Sequence, residues 1–214
     1  MYRPAAFRQD DLPSLHQQIH DSRLASVISQ GHDGPQASHL PLLLVENEGE
    51  RGTLYGHFAR ANPHWRELLE RPQVLVIFNG ADAYVSPTWY PSKAEHGKAV
   101  PTWNYIAVHA HGRAEIFDDA ERLRQLVGAL SARHEAGRAQ PWSIDDAPAD
   151  YLAAMLRAIV GFALPIERLE GQWKLSQNRS GADRDGVRRS LAESADARDR
   201  EAATYLSTDL ESTR

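Results

Sequence analysis

The stretch that decides the fold is Gln73-Val-Leu-Val-Ile-Phe78, an apolar, β-branched run with the length of a buried strand. Asn79-Gly80 is a strong hairpin-turn dipeptide, so we expect it to end this strand and Ala83-Tyr-Val-Ser86 to form a short partner. From Thr102 to Phe117 an alternating pattern predicts a second, longer strand. The middle of the chain therefore predicts an antiparallel sheet.

The residues before this stretch predict further strands and two short helices. Turn-forming Gly, Pro and Asn residues separate the apolar runs, as expected for a sheet built from hairpins. The expected elements are a helix over Asp10–Asp21, strands over Leu24–Ser29, Leu40–Val45 and Thr53–Arg60, and a helical turn over His64–Arg71.

The residues after Phe117 are mainly helical in pattern, with apolar side chains three and four positions apart. We expect helices over Ala120–His134, from Pro148 onward and from Asp185 to about Tyr205. We also expect a returning strand over Leu164–Gln172 with a turn at Gly171, and a frayed polar end over 207–214. Strands followed by helices predict one α+β domain over 1–214, with helical additions at about 118–162 and 185–206.

Composition restricts the classes of function. The chain has no cysteine, which excludes disulfides, thiolate metal sites and cysteine nucleophiles. With a formal net charge of −5 it lacks the excess of Lys and Arg on which DNA affinity usually depends. It contains no apolar run of the roughly 20 residues that a membrane helix needs. We therefore expect a soluble, cytoplasmic protein with no membrane association.

The segment from Tyr84 to Tyr105 has the most unusual composition in the chain. It combines three tyrosines and two tryptophans with several hydroxyl side chains, Lys93 and Asn104. The ring system of a flavin offers a large flat apolar surface with polar edges, and its phosphate needs hydroxyls and a cation, which this segment supplies. The same rings are also typical of a dimer interface or a long packed loop, and composition alone leaves both interpretations open.

Other clusters give weaker signals. His109 and His111 share one face of a predicted strand, and His16 and His20 lie four apart on a predicted helix, but neither pair has a third ligand at a suitable spacing. We therefore predict no metal site. No phosphate-binding glycine loop, nucleophile elbow or zinc-protease motif is present, so no catalytic residue is assigned.

Four blocks, in this order, resemble the PaiB family of FMN-binding negative transcriptional regulators. They are Gly56–Trp65, Tyr84–Lys93, Val100–Tyr105 and Leu169–Arg179, and the resemblance extends from Met1 to about Leu191. It implies an antiparallel split β-barrel like that of pyridoxamine-phosphate oxidases, with flanking helices. It also implies FMN as cofactor, a homodimer with the flavin at the subunit interface, and DNA as a partner.

The resemblance and the side-chain chemistry together give a set of candidate flavin contacts. Arg60 suits bidentate binding of a phosphate, although a surface salt bridge explains it as well. Lys174, Ser176 and Asn178 would share one face of an extended segment, unless that segment only caps the next helix. The full set is His57, Arg60, Asn62, Ser86, Trp89, Tyr90, Lys93, Thr102, Trp103, Asn104, Tyr105, Lys174, Ser176, Gln177 and Asn178.

For function, the resemblance implies repression of sporulation and degradative-enzyme genes. The alternative is a small flavin-dependent oxidoreductase that acts on a nicotinamide or a small organic substrate, because split barrels also host such enzymes. A flavin would carry the redox chemistry in that case. Whether the chain is an enzyme is left open by the sequence.

Overall fold

A computed structural model describes residues 1–206. The strands are β1 (Arg8–Gln9), β2 (Ala25–Gly31), β3 (Gly34–Leu40), β4 (Leu43–Val45), β5 (Thr53–Ala59), β6 (Gln73–Val85), β7 (Thr102–Arg113), β8 (Glu115–Phe117) and β9 (Ile159–Lys174). The α-helices are α1 (Leu12–Asp21), α2 (His64–Glu70), α3 (Ser92–His96), α4 (Ala120–Glu135), α5 (Ala149–Arg157), α6 (Gly181–Ala192) and α7 (Ala197–Thr204). Short 3-10 helices cover Ala5–Phe7, Pro87–Trp89 and Ile144–Asp146.

The strands join in the order β3-β2-β6-β7-β9-β5-β4, and β1 and β8 also pair with β9. Strand β2 pairs antiparallel with β3 and with β6, where Val27 lies opposite Val76. Strand β5 pairs antiparallel with β4 and with β9, where Phe58 lies opposite Val160. An antiparallel sheet with helices added to it confirms the predicted α+β class.

The chain divides into two compact units. The first comprises Met1–Asp11, Asn79–Val108 and the described residues from Glu170 onward, and the second comprises Leu12–Phe78 and His109–Leu169. The prediction of one domain over 1–214 stays a prediction.

The core of the second unit has two parts. In the first, the rings of Phe58 and Phe162 pack with their centroids 5.1 Å apart, and both side chains are fully buried. In the second, α4 and α5 bury one leucine face each against β8 and β9, through Phe117, Leu123, Leu126, Leu130, Ile144, Leu152, Leu156 and Ala163. The predicted leucine stripe of α4 is therefore its packing face.

The core of the first unit lies between strand residues and the last two helices. Ala81, Ala83 and Val85 of β6 are buried, while Asp82 and Tyr84 between them are exposed. The buried strand residues pack with Ile106, Tyr90 and Leu175 and with the helix residues Val187, Leu191, Ala202, Ala203 and Leu206. Small side chains on β6 leave room for the two helices to approach.

Three predicted features of the strands are wrong. Asn79-Gly80 does not turn the chain, because β6 runs without interruption from Gln73 to Val85. Gly171 does not turn it either, since β9 extends to Lys174 and Gly171 pairs with Gln9 of β1. The predicted strand over Leu40–Val45 is too long, because only Leu43–Val45 forms a strand, β4, which pairs with β5, and Leu40 is the last residue of β3, which forms a hairpin with β2.

Two predictions on the helical segments need correction. The segment from Pro87 to Pro101, whose proline and glycine content predicts a long loop, contains a 3-10 helix and α3. The predicted last helix is two helices, and the first of them begins at Gly181, where the Ser180 hydroxyl accepts a hydrogen bond from the Asp183 backbone N–H. The expected fraying over 207–214 lies outside the described residues.

Within residues 1–206, no helix is both long enough and apolar enough to span a membrane.

Candidate functional site

The predicted flavin contacts divide between the two units. His57, Arg60 and Asn62 belong to the second unit, and the other twelve belong to the first. The two groups are therefore considered separately.

In the first unit, three predicted contacts line one cavity. Trp89, Tyr90 and Lys93 surround a space of about 430 Å³ together with Thr88, Pro91 and Ala94. Tyr90 is buried, Trp89 is half-buried and Lys93 is exposed. The volume lies within the range of small-molecule sites, which is roughly 300–1,000 Å³. An aromatic side suits the flavin ring and an exposed cation suits its phosphate.

Local sequence explains the shape of this segment. The Ser86 side chain accepts a hydrogen bond from the Thr88 backbone N–H, and Pro87 occupies the first position of the 3-10 helix, where its missing N–H costs nothing. Helix α3 ends at Gly97, which adopts a left-handed conformation with φ 68°. The proline and glycine content that resembled a loop instead begins and ends two short helices.

Helix α6 anchors the segment that forms the 3-10 helix and α3, through hydrogen bonds between Asp183 and Ser92. The buried Asp183 carboxylate accepts hydrogen bonds from the Ser92 backbone N–H at 3.0 Å and from the Ser92 hydroxyl at 2.7 Å. Burial alone would raise the pKa of the Asp183 carboxyl, but the hydrogen bonds from Ser92 and Ser180 outweigh it and lower that pKa. Asp183 is therefore an ionised anchor for the first residue of α3.

A second predicted group surrounds the Lys174 ammonium. Its Nζ donates to Thr102 Oγ1 and to the Trp103 carbonyl, both at 2.6 Å, and lies 6.0 Å from the centre of the Tyr105 ring. Burial, reinforced by the positive charge of Arg179, lowers the pKa of Lys174. An anion placed beside this nitrogen would relieve that unfavourable environment.

The residues after Lys174 turn sharply, so the predicted alternation of Lys174, Ser176 and Asn178 along one strand face is wrong. Ser176 adopts a left-handed backbone with φ 63°, the only positive φ of a non-glycine residue among the described residues. Its hydroxyl donates to Asn104 Oδ1 at 3.1 Å, whereas Asn178 is exposed. Gln177 accepts from the Leu175 backbone N–H at 2.7 Å and so closes the turn.

Two functional candidates in this unit were missed by the sequence-based prediction. Arg179 places its guanidinium 4.8 Å from the centre of the Tyr90 ring, and Asp183 anchors Ser92 across 91 positions of the chain. An arginine stacked on an aromatic ring beside a cavity is a common anion-binding arrangement. The sequence placed Arg179 in the right motif, but nothing in it indicated the contact with Tyr90.

The polar atoms that lack partners test whether this set fits FMN. Asn104 Nδ2 and the Tyr90 hydroxyl are buried, and neither has a hydrogen-bond partner among the described residues. The edge of an isoalloxazine ring offers carbonyls and ring nitrogens for such groups, and Lys93, Lys174 and Arg179 offer positive charge for its phosphate. The residues of the first unit therefore fit FMN.

In the second unit, the Arg60 guanidinium already binds other groups of the same chain. Its guanidinium donates to the carbonyls of Arg157 at 2.8 Å and Ile159 at 3.0 Å, and one nitrogen lies 3.6 Å from the Asp118 carboxylate. These bonds tie β5 to the start of β9. The assignment of Arg60 to a phosphate stays a prediction.

Asn62 belongs to a polar network around the buried His64 ring. Its amide Nδ2 donates to Ser38 Oγ at 3.1 Å, and its Oδ1 accepts from the His64 backbone N–H at 3.0 Å. The His64 ring lies between two hydroxyls, with Nε2 2.9 Å from Ser29 Oγ and Nδ1 2.8 Å from Ser38 Oγ. Both ring nitrogens of this histidine are therefore satisfied without a ligand.

This network predicts a pH dependence. Burial lowers the pKa of His64, with Glu67 acting weakly in the opposite direction, so the folded state favours the neutral ring. The unfolded chain takes up the proton first, hence His64 should contribute stability above about pH 6.5 that is lost on acidification below it. We expect His64→Gln to lower the free energy of unfolding by about 2 kcal/mol at pH 7.5, because it breaks a buried hydrogen bond.

The measurement is urea unfolding of both proteins between pH 7.5 and 5.5. The stability difference between the wild type and His64→Gln should narrow as the pH falls. The exposed His32→Gln variant is the control for replacing a histidine at the surface, and we expect it to leave the free energy of unfolding close to the wild-type value. If the stability difference between the wild type and His64→Gln is constant across this range, protonation of His64 is not coupled to unfolding.

His57, on β5, is half-buried, and burial lowers its pKa. Its Nδ1 is buried with no hydrogen-bond partner among residues 1–206.

Comparisons with known proteins show the family to which this chain belongs. Residues 1–168 match the family model described as "Putative FMN-binding domain". The chain is 33% identical to protease synthase and sporulation protein PAI 2 of Bacillus subtilis, over 86% of this chain and 85% of that protein. It is also 32% identical to an uncharacterized protein of Aspergillus fumigatus, over 87% of this chain and 89% of that one.

Solved structures show the same fold. The flavocytochrome Anf3 from Azotobacter vinelandii superposes with a TM-score of 0.58 at 16% identity, over 81% of this chain and 72% of that chain. The FAD and heme binding protein from Mycobacterium smegmatis gives 0.55 at 19% identity, over 78% and 73%. The predicted split-barrel fold class and the predicted cofactor, FMN, are both confirmed. The matches along most of the sequence show that the chain belongs to the PaiB family of FMN-binding split-barrel proteins.

Proposed function

We propose that this chain is an FMN-dependent regulator of the PaiB type, which acts as a cytoplasmic homodimer and represses genes for degradative enzymes and sporulation. The observation that carries the proposal is the likeness to PAI 2, which covers most of both chains. The name of that relative refers to protease synthesis and sporulation.

The proposed FMN contacts are those of the first unit. The cavity beside Trp89, Tyr90 and Lys93 would take one part of the flavin, and the group around Lys174 and Asn104 the other. Support comes from the two buried polar groups without partners and from the three cations near them. The remaining predicted contacts in this unit are close to these two groups in the sequence. They are Ser86, Thr102, Trp103, Tyr105, Ser176, Gln177 and Asn178. His57, Arg60 and Asn62 stay predictions.

The homodimer is supported by exposed aromatic side chains in the same unit. Tyr84 and Trp103 pack edge to face with their ring centroids 5.9 Å apart, yet about half of each side chain is exposed, at 45% and 54%. Val100 is 67% exposed. Aromatic surface of this kind is typical of the centre of an interface. A second subunit and a shared flavin would cover it.

The charge of the last two helices, α6 and α7, restricts how such a regulator would contact DNA. The segment 181–204, which forms α6 and α7, contains five arginines but six acidic residues. One arginine of α6, Arg188, lies 4.0 Å from Asp185. A helix pair without excess positive charge is a poor reader of DNA on its own. We therefore propose that any DNA contact needs surfaces of both subunits.

The experiment is a gene deletion in the source organism, complemented with the wild type or with Lys174→Met. Transcripts of secreted hydrolases should rise several-fold on deletion and return to the starting level with the wild type. Lys174→Met, which removes a proposed flavin contact, should fail to restore repression, whereas Lys98→Met, an exposed lysine of the same unit, should restore it.

Unchanged transcripts after deletion would contradict the regulatory proposal. Purified protein provides the second readout, in which a salt-dependent shift of upstream DNA fragments over random DNA would support direct contact. If the protein instead oxidises NADH well above the background of free FMN, the oxidoreductase alternative is favoured.

A further inference from the structure

We propose that the second unit contains a binding site for a free aliphatic amino acid, beside β4, β5 and α4. The inference does not depend on the regulatory role or on the FMN contacts in the first unit, and no predicted flavin contact lines the site. It starts from a cavity of about 280 Å³ that has aliphatic walls and two side chains of opposite charge at its edge.

The walls of the cavity are mainly aliphatic. Leu43 and Val45 of β4 line it together with Leu126 and Ala129 of α4. Leu43 and Val45 lie two positions apart and share one face of the strand, and Leu126 and Ala129 lie three apart and share one face of the helix. Leu43 and Val45 are half-buried, so a hydrocarbon chain in the cavity would remove further apolar surface from water.

The acidic side of the cavity is formed by Tyr55 and Glu48. The Tyr55 hydroxyl donates a hydrogen bond to Glu48 Oε1, which holds the carboxylate at the cavity. Burial raises the pKa of Tyr55 to about 12, with the hydrogen bond to Glu48 acting in the same direction, so the phenol remains a donor at neutral pH. A carboxylate has two acceptor oxygens, so Glu48 can also accept from an ammonium group.

The basic side of the cavity is the Arg122 guanidinium. Its central carbon lies 4.0 Å from the centre of the Phe117 ring, which also lines the cavity, so the stacking holds the guanidinium there. Its Nη1 donates to Glu115 Oε1 at 2.9 Å. A guanidinium has five N–H groups in one plane, so Arg122 can bind a second carboxylate as well.

The two charges are close enough for one small molecule to contact both. Both act on the Tyr55 phenol, whose pKa is raised by Glu48 and lowered by Arg122. A free aliphatic amino acid has an ammonium for Glu48, a carboxylate for Arg122 and a hydrocarbon chain for the walls. The cavity of 280 Å³ lies just below the range of drug-sized sites, roughly 300–1,000 Å³, and suits a molecule of this size.

A ligand with a single charge fits less well, because it would leave the opposite charge at the cavity without a partner. Ion pairs near the surface contribute little individually, so we expect the buried hydrocarbon chain to supply much of the affinity. The two charges then select for a molecule that carries both.

The test uses the full chain with leucine as probe, followed by saturation-transfer NMR and titration. Three analogues each lack one part of leucine: 4-methylpentanoic acid lacks the ammonium, 3-methylbutylamine lacks the carboxylate, and glycine lacks the side chain. Leucine should bind, and each analogue should bind at least about tenfold more weakly. If leucine does not bind, or if any analogue binds as tightly, the inference is wrong.

Two variants assign each charge to one end of the ligand. Arg122→Gln should weaken leucine about tenfold and leave 3-methylbutylamine unchanged, since that amine has no carboxylate. Glu48→Gln should weaken leucine to a similar degree without weakening 4-methylpentanoic acid. Arg124→Gln on α4 and Glu50→Gln in the same turn as Glu48 replace charges that do not line the cavity, so they are controls and should leave every affinity unchanged.

All four positions are exposed or half-buried, so these changes should leave the fold intact. Full leucine affinity in both Arg122→Gln and Glu48→Gln would overturn the inference.

Ala129→Phe tests the cavity itself. Ala129 is exposed on α4 and lines the cavity, so a larger side chain there should block the cavity from the solvent side and abolish leucine binding. Leucine binding at the wild-type level in this variant would place the amino acid elsewhere on the molecule and contradict the site.

An FMN titration of Arg122→Gln separates this site from the flavin site. We expect unchanged FMN affinity with weakened leucine binding. Loss of FMN affinity would instead assign Arg122 to the flavin and overturn the separate site. Failure of the wild type to bind leucine has no bearing on the FMN contacts of the first unit, so the two proposals can fail independently.

Discussion

Gly186→Val should destabilise the protein by about 3 kcal/mol, because overpacking against backbone costs at the upper end of its usual range. A Cβ atom at Gly186 would lie 2.1 Å from the Trp89 carbonyl oxygen and 3.2 Å from Pro91 Cδ. The backbone of one segment or the other must move. Replacing glycine inside a helix normally adds up to about 1 kcal/mol of stability, so the clash outweighs the gain in helix propensity.

The same change should disturb the flavin cavity, because Trp89 and Pro91 both line it. We expect FMN affinity to fall at least about tenfold, equivalent to roughly 1.4 kcal/mol. The matched control is Gly181→Ala on the same helix, where a Cβ meets no atom within 4 Å. Its stability should change by less than about 0.5 kcal/mol.

The measurements are urea unfolding and FMN titration of the three proteins. If Gly186→Val has wild-type stability and wild-type FMN affinity, then α6 does not pack tightly against the Trp89 segment, and the account of how α6 positions the cavity is wrong.

Asp183→Ala should cost about 3 kcal/mol, because it leaves the Ser92 backbone N–H and hydroxyl without their charged partner in a buried place. Helix α3 has only five residues and does not hold itself together without such contacts. Lys93, the next residue after Ser92, would lose its fixed position at the cavity. FMN affinity should therefore fall together with stability.

The pH dependence of Asp183 follows from its lowered pKa. A carboxyl whose folded-state pKa lies below the unfolded value of about 3.9 contributes stability above that pH and loses it as the pH falls through the folded value. The stability difference between wild type and Asp183→Asn should therefore be full at pH 6 and shrink below about pH 4.

Asp185→Asn, which replaces an exposed acid on the same helix, is the matched control and should leave the free energy of unfolding close to the wild-type value. Urea unfolding of the three proteins between pH 6 and pH 3 measures both effects. If the stability difference between the wild type and Asp183→Asn is unchanged at pH 3, Ser92 does not hold the carboxylate in its ionised form.

The sequence predicted the sheet well where one face of a strand is apolar. The run over Gln73–Phe78 was recognised as a buried strand, and the leucine spacing of α4 correctly predicted a packed helix. Asn79-Gly80 misled the prediction because its local preference for a turn is strong. The alternation of Ala81, Ala83 and Val85 with exposed residues already indicated that the strand continues, and sheet hydrogen bonds outweigh a two-residue preference.

The contacts of the site were less predictable because they join residues far apart in the chain. The bond between Ser92 and Asp183, and the position of Arg179 over Tyr90, exist only after the strands and α6 have packed. The turn at Ser176 could not be predicted, because nothing in Lys174–Asn178 indicates a left-handed backbone conformation. Serine seldom adopts that conformation. The motif blocks therefore indicated which segments of the chain hold the candidate site, while the fold determines which side chains meet there.

We propose that the first unit binds FMN through Lys174 and the residues around the Trp89 cavity. The direct measurement is a titration of the purified chain with FMN, followed by flavin fluorescence and by absorption bands near ~370 and ~450 nm. We expect one FMN per chain, with affinity at least about tenfold weaker in Lys174→Met and unchanged in Lys98→Met. A wild-type protein that is colourless and does not bind added FMN, or a Lys174→Met variant with full affinity, would contradict it.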